Sequence, residues 1–453
     1  MCPLLTFLVR VVPAALALGL LLIALASGCA EKPSRPRVLL VGLDGASPRI
    51  VREMFQAGQL PHLAGLADRG LFVPLRSSIP LHSPRIWASI ATGKTPEKHG
   101  IDAFVTRVGE GRHRLMLGSD RRTHALWNIV SDAGRRVAVI NWWNTFPPEV
   151  IEGVMVSDHA LPGEVERRRL IIEDIVVPDH AVHGEVERRR PLTHTEATPA
   201  GALVYPERWD ERLRASLAEQ IEVDWPDPFT GNDALPRWAH PERLAEVFRD
   251  DARAVEIALS VEDEIDPDLL MVFLPGIDRV SHQLWGCLEE GFPYPARLTP
   301  TPSERRAGAE AMHAYYRYTD ALVSRLLERY TPDDLVVIAS DHGFEAGTSG
   351  NLDVTGLHET VAARDGILIT AGRGIARKAP AEVVTILDVA PTVLAWMGLA
   401  VGRDMDGRVA PFLDAQVTWV ETHDTTAIER LPTHRSGKEE EMLQSLRDLG
   451  YIE

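Results

Sequence analysis

Cysteine is nearly absent, with three in 453 residues. Cys2 and Cys29 lie in the apolar leader, so Cys287 stands alone in the rest of the chain and a disulfide-built fold is excluded. Positive charge is also short: 48 Lys and Arg stand against 65 Asp and Glu, a formal net charge of −17. That balance excludes a nucleic-acid polymer as partner, because phosphate-backbone binding needs clustered cations. It also removes anionic lipid as an electrostatic dock. An apolar run of full spanning length is missing too, since Val11 to Ala26 falls short of the about 20 residues a membrane helix needs. A protein this acidic that handles an anionic substrate must gather positive charge locally, and metal ions can supply it.

The short apolar run follows Arg10 and ends in Leu25-Ala26-Ser27-Gly28-Cys29, the layout of a bacterial secretion signal. The small residues before Cys29 resemble a lipobox. The expectation is an exported protein of the periplasm or cell envelope, held to the membrane only by a lipid on Cys29, with an uncleaved anchor as the alternative. The remaining chain, about 420 residues, is long for one ordinary domain. Residues 1–29 read as the signal, 37–157 and 269–413 as an α/β core, 158–268 as an inserted cap, and 414–453 as a tail. Within the cap, DHALPGEVERRR at Asp158 to Arg169 recurs as DHAVHGEVERRR at Asp179 to Arg190. Two copies are too few for a solenoid. They read as a duplicated solvated face, with a metal site at His159, His180 and His183 as the less favoured reading.

Three apolar runs end in acidic residues. Arg37 to Gly45 reads RVLLVGLDG, Leu269 to Leu274 leads into PGIDRVSH, and Leu335 to Gly343 reads LVVIASDHG. Continuous apolar runs of this kind fit buried parallel strands, and the carboxyl ends of such strands are where α/β sheets place their sites. Asp44, Asp278 and Asp341 fall there, with His282, His342 and His358 close by. Asp278 and His282 share a helix face if the chain turns helical after Pro275. Carboxylate with imidazole suits zinc, and manganese as second choice. The expected architecture is a mostly parallel central sheet sandwiched by helices.

The stretch SSIPLHSPRIWASIATGKTPEKHGI, Ser77 to Ile101, sets Ser83 at the start of an apolar-periodic run that ends at Thr92-Gly93. Ser83 there is either a helix N-cap or a nucleophile at the positive end of a helix dipole. Ala88 to Thr95, ASIATGKT, nearly matches a phosphate-binding P-loop. It has a helix where a strand belongs and lacks the glycines that would face phosphate, so that reading is set aside.

GLDG, SPRIWASIATGKTPEKHGI, PGIDRVSH, SDHGF and GLH, in that order, resemble the alkaline phosphatase superfamily and within it the type I phosphodiesterase/nucleotide pyrophosphatase branch. TFPPEVIEGVMVSD, Thr145 to Asp158, is similar to uncharacterised bacterial members. The resemblance implies one metal held by Asp44, Asp341, His342 and Ser83, and a second held by Asp278, His282 and His358. It also implies that Ser83 attacks phosphorus and forms a covalent intermediate, with a small phosphate ester as substrate. The resembled branch often carries Thr as nucleophile and an Asn three residues after HGI. Here those positions are Ser83 and Phe104, so nucleotide diesters are not implied. A sulfatase would need its modified Cys or Ser two residues before a proline, whereas Ser83 directly precedes Pro84. Arg85 is the cation nearest the nucleophile, and with Phe104 it is the candidate for contact with substrate. Alternatives are a phosphoryl transferase or phosphomutase of the same superfamily, and a lipoprotein that keeps the fold as a silent binding module.

Overall fold

The computed structural model describes residues 35–109, 112–158, 160, 199–218, 225–350 and 353–435. The leader with Cys29, the duplicated segment and His159, His180 and His183 lie outside the described residues. Nine strands make the central sheet among the described residues. In chain order they are β1 Val38–Leu43, β2 Leu71–Arg76, β3 Val137–Ile140, β4 Gly153–Val156, β5 Val204–Tyr205, β6 Leu269–Leu274, β7 Leu335–Ala339, β8 Asp365–Ala371 and β9 Val384–Thr385. Across the sheet the order is β9-β2-β8-β7-β1-β6-β3-β4-β5. β8 and β5 run against their neighbours, and the other strands point one way.

The sheet is buried on both faces, which is why its central strands read as unbroken apolar runs. Alternate residues feed two separate cores. Leu39, Val41, Leu270, Val272, Val336 and Ile338 face one core, and Val38, Leu40, Leu269, Met271, Leu335 and Val337 face the other. The first core is covered by α1 Pro48–Gln56, α2 Pro61–Arg69, a 25-residue helix α6 Pro241–Ile265 and α8 Pro302–Leu327. The second is covered by α3 Ser83–Thr92, α4 Leu126–Asp132 and α9 Val389–Trp396. Shorter helices are α5 Asp210–Ala218 and α7 Gly276–Leu284.

Two expectations change. Residues 158–268 are not an irregular insertion to their end, because α6 buries Leu244, Val247, Phe248, Val255, Ala258 and Val261 in the first core. Residues 414–435 are not a loose tail. Trp419–Val420 pairs with Val401–Gly402, and Asp424 accepts from Lys94.

Candidate active site

β7, β1 and β6 are adjacent and parallel, so their carboxyl ends bring Asp341, Asp44 and Asp278 to one edge of the sheet. Gly45 turns the chain at φ 69, a left-handed conformation that glycine adopts without strain, and its amide donates to Asp341 Oδ1 at 3.2 Å. A Cβ at Gly45 would lie 3.0 Å from Asp278 Cα, so the close approach of the two loops also requires glycine. After Pro275 the chain does turn helical, and Asp278 and His282 share a face of α7 with Oδ1 and Nε2 3.5 Å apart. His342 and His358 complete the cluster. His342 Nε2 lies 3.5 Å from Asp44 Oδ1, 3.3 Å from Asp341 Oδ2 and 4.0 Å from Asp278 Oδ1, and His358 Nε2 lies 3.7 Å from Asp278 Oδ1.

The three imidazoles are oriented by one device. Nδ1 of His282 meets the Gly356 carbonyl at 2.9 Å, that of His342 the Gly343 carbonyl at 2.9 Å, and that of His358 the Leu81 carbonyl at 3.1 Å. A carbonyl can only accept, so each Nδ1 carries the proton and each Nε2 turns its lone pair toward the carboxylates. Phe344 packs 5.0 to 5.8 Å from all three rings and holds them in place.

The cluster is short of positive charge. Asp44 Oδ1, Asp278 Oδ1, Asp341 Oδ2 and His342 Nε2 are buried with no hydrogen-bond partner, and buried polar atoms are normally paired. Burial, then the carboxylates of Asp341 and Asp278, pushes Asp44 well above the ordinary carboxylate range. Burial raises Asp341 as well. Burial and the neighbouring imidazoles of His342 and His282 hold His358 well below the usual histidine value. Cations bound among these atoms would relieve all of this, so the donor set fits the expected metals. Two groups have mutually close ligand atoms: Asp278, His282 and His358, and Asp44, Asp278 and His342. Asp278 stands between the two, where the resemblance gave it to one alone.

Ser83 opens α3, two residues after Leu81, whose carbonyl meets His358 of this cluster. The cap position is His82, whose carbonyl accepts from the Ile86 amide at 3.1 Å, and Ser83 is the first helical residue. The N-cap reading of Ser83 is thereby corrected. Leu81, two residues earlier, is the residue that accepts from His358. On its other side α3 is held by Asn144, whose Nδ2 donates to the Pro84 carbonyl at 2.9 Å. Trp87 packs so closely on β1 that a Cβ at Gly42 would lie 2.7 Å from its ring, which confines Trp87 to core packing. Trp127 donates to Glu149, also within the core. Lys94 of the P-loop look-alike is buried with Nζ 2.6 Å from both Asp404 and Asp424, a structural anchor at the far end of α3.

The two substrate candidates divide. Arg85 is engaged by Asp102 in a short ion pair. Phe104 is buried, its ring 6.2 Å from that of His82 and edge-on to Trp143 at 5.6 Å. Sequence reasoning found no motif cation besides Arg85, yet Arg279 of PGIDRVSH is buried with Nε 4.0 Å from Asp278 Oδ2. With two divalent cations in place, Arg279 raises the formal charge of the site from about plus one to about plus two. That charge would suit a doubly charged monoester as well as a singly charged diester. Phe344 and Arg279 sit inside quoted motifs, and that position was the signal available for them, whereas Asn144 lies one residue before the motif that opens at Thr145.

The sequence profile of the family described as type I phosphodiesterase / nucleotide pyrophosphatase matches residues 38–399. Among solved structures the chain is similar to a 2-O GAG sulfatase, with 15% identity over 86% of this chain and 76% of the other, and a TM-score of 0.50. It also matches a phosphonate monoester hydrolase from Silicibacter pomeroyi, with 17% identity, 85% and 78% coverage and a TM-score of 0.42. A third match is phosphonoacetate hydrolase from Sinorhizobium meliloti, with 19% identity, 70% and 59% coverage and a TM-score of 0.38. At these identities the likeness concerns the fold. No curated protein sequence matches the chain.

Proposed function

The chain belongs to the type I phosphodiesterase / nucleotide pyrophosphatase family, and on that premise we propose that it is a metal-dependent phosphodiesterase with Ser83 as nucleophile. The observation that carries the proposal is the set of orphaned, buried atoms on Asp44, Asp278, Asp341 and His342, which converge on one edge of the sheet. Asp44, Asp341, His342 and Ser83 would hold one ion, and Asp278, His282 and His358 the other, with Asp278 near both. Imidazole and carboxylate donors favour zinc, then manganese. Bound there, divalent cations supply charge neutralisation and lower the pKa of the nucleophile.

The chain's own groups do the rest. The N-terminal amides of α3 and its dipole favour an anionic phosphate beside Ser83. Ser83 Oγ bonds to phosphorus as the P–O bond to one alcohol breaks. The serine proton passes to solvent, and the departing alkoxide takes one up. Water then displaces the serine oxygen, releasing the phosphomonoester and restoring the hydroxyl. His282, His342 and His358, fixed by backbone carbonyls, keep their lone pairs in place throughout. The diester preference is supported by the family. The leader layout supports export and a lipid on Cys29, and an intact mass with residues 1–28 retained would rule that part out.

The test is Ser83→Ala in metal-analysed protein. Turnover of an aryl phosphodiester should fall by about four orders of magnitude or more with the fold unchanged. A slow substrate should leave its phosphoryl group on Ser83 by mass spectrometry, and an adduct elsewhere sinks the assignment. A tenfold preference for the matching monoester in kcat/KM would refute the diesterase reading.

A further inference from the structure

The backbone on either side of Ser83 is pinned by two different elements. Two positions earlier the Leu81 carbonyl accepts from His358 Nδ1 at 3.1 Å, and one position later the Pro84 carbonyl accepts from Asn144 Nδ2 at 2.9 Å. The cap residue adds no hold, since the His82 side chain makes no bond to the first turn of α3. Among the described residues three non-glycine positions adopt a left-handed backbone: Asn141, Asn144 and Asp266. Two of them fall in the short stretch that follows β3, each with φ 59. Such conformations persist only where the surroundings impose them, and they cluster at functional turns. Asparagine tolerates them better than most side chains. The surroundings of Asn144 are specific. Its backbone amide donates to the buried carboxylate of Asp158 at 3.0 Å, and a Cβ at Gly118 would lie 2.4 Å from its carbonyl oxygen. The Asp158 amide in turn donates to Thr145 Oγ1 at 3.0 Å and closes the turn. Asn141 is equally buried and has the same φ, yet its side chain reaches elsewhere, donating to the Phe273 carbonyl of β6 at 3.2 Å.

We propose that Asn144 is a positioning residue for the nucleophile: held by Asp158, its side-chain amide sets the first turn of α3, and Ser83 with it, against the metal cluster. The proposal rests on the Ser83 reading above. Asn144 acts through the Pro84 carbonyl, so it takes no part in bond making or breaking. In-line attack needs the serine oxygen within a narrow range of phosphorus, and a misplacement of about 1 Å can cost about a hundredfold in rate. The phosphate is gripped mainly by the metals, so kcat should carry most of the loss and KM little of it.

The experiment compares Asn144→Gly with Asn141→Gly in the full, metal-loaded chain. Glycine keeps the left-handed turn at either position and removes only the side-chain amide. Asn144→Gly should lower kcat on bis(para-nitrophenyl) phosphate about a hundredfold, with KM within about threefold. Its affinity for orthovanadate, a mimic of the in-line transition state, should fall about tenfold or more by calorimetry. Asn141→Gly should unfold at a similar denaturant midpoint and keep kcat within about threefold of wild type. Asn144→Asp keeps the shape but sets an oxygen against the Pro84 carbonyl, and should lose at least as much turnover as the glycine variant. Equal losses in the two glycine variants would mean a structural role and overturn the proposal. A wild-type kcat in either Asn144 variant overturns it as well. If Ser83→Ala still turns over the diester, the nucleophile reading and this proposal fall together. If Ser83→Ala is inactive while Asn144→Gly is not impaired, the positioning role alone fails.

Discussion

Glu149 and Asp44 are both carboxylates shut away from water, and their surroundings differ in one respect. Glu149 takes two bonds from Arg121 at 2.6 and 2.8 Å, one from Trp127 at 2.6 Å and one from Asn128 at 2.8 Å, with Arg430 3.4 Å away. Burial alone would raise its pKa, but Arg121 and Arg430 outweigh burial and hold it below the usual range. Asp44 has two carboxylates for neighbours and an oxygen without a donor. One cluster is closed by its own residues, and the other is complete only with a cation that the chain does not contain. The lesson concerns burial of charge: a satisfied cluster serves the fold, and an unsatisfied one waits for a ligand.

The sharpest way to break this contrast is to neutralise each cluster in chelator-treated protein and read the sign of the change. Glu149→Gln strands Arg121 in the interior and should cost about 3 kcal/mol in denaturant unfolding. An unchanged midpoint would mean that the closed cluster is dispensable. Asp278→Asn removes a repelling charge from Asp44 and Asp341 and should stabilise the metal-free protein by about 2 kcal/mol. Adding zinc should reverse that order, because the wild type then gains a ligand the variant has lost. A metal-free variant that melts below wild type would show that the carboxylates are compensated in some other way.

A smaller effect separates both clusters from His99. This imidazole accepts from the Ile101 amide at 3.1 Å and donates to Ser89 Oγ at 3.0 Å. Burial, then Arg121 and Arg85, lowers its pKa to about 3. The folded value lies below the unfolded value of about 6.5, so on acidification the unfolded chain takes the proton first and stability falls between those limits. From pH 6.5 to 5.5 the loss is about 1 kcal/mol. The His99→Asn variant should show a flatter pH profile in that window, and equal slopes would remove His99 from the acid response.

The cluster of Asp44, Asp278, Asp341, His282 and His342 was legible because each follows an apolar run or sits at helical spacing from a residue that does, whereas His358 was placed only by the resemblance. Asp44, Asp278 and Asp341 mark strand ends, and His282 is one helical turn from Asp278. The helix α6 was hidden by composition, since Glu, Asp and Arg interrupt its apolar stripe, and its polar face is what a charged insertion would also display. Arg279 and Asn144 could not be given roles from the chain alone. The role of Asn144 comes from a bond to Pro84 that spans 60 residues, and no local pattern encodes such a distance. The fate of the P-loop look-alike was half legible. Its failed context was plain, but the carboxylates that bury Lys94 lie more than 300 positions away.

That separation sets a timetable for synthesis. Lys94 meets Asp404 and Asp424, which leave the ribosome 310 and 330 residues after it. Thr95 and Lys98 wait as long for Asp406. The helix that opens with Ser83 is thus translated among the first elements and clamped at its far end among the last. Contacts of such long range are costly to close and form late in folding. A nascent or prematurely terminated chain that stops before Asp404 carries Ser83 and every residue of the cluster from Asp44 to His358, and still lacks the anchor at the far end of α3. Full anchoring of that helix comes only when the molecule is almost whole.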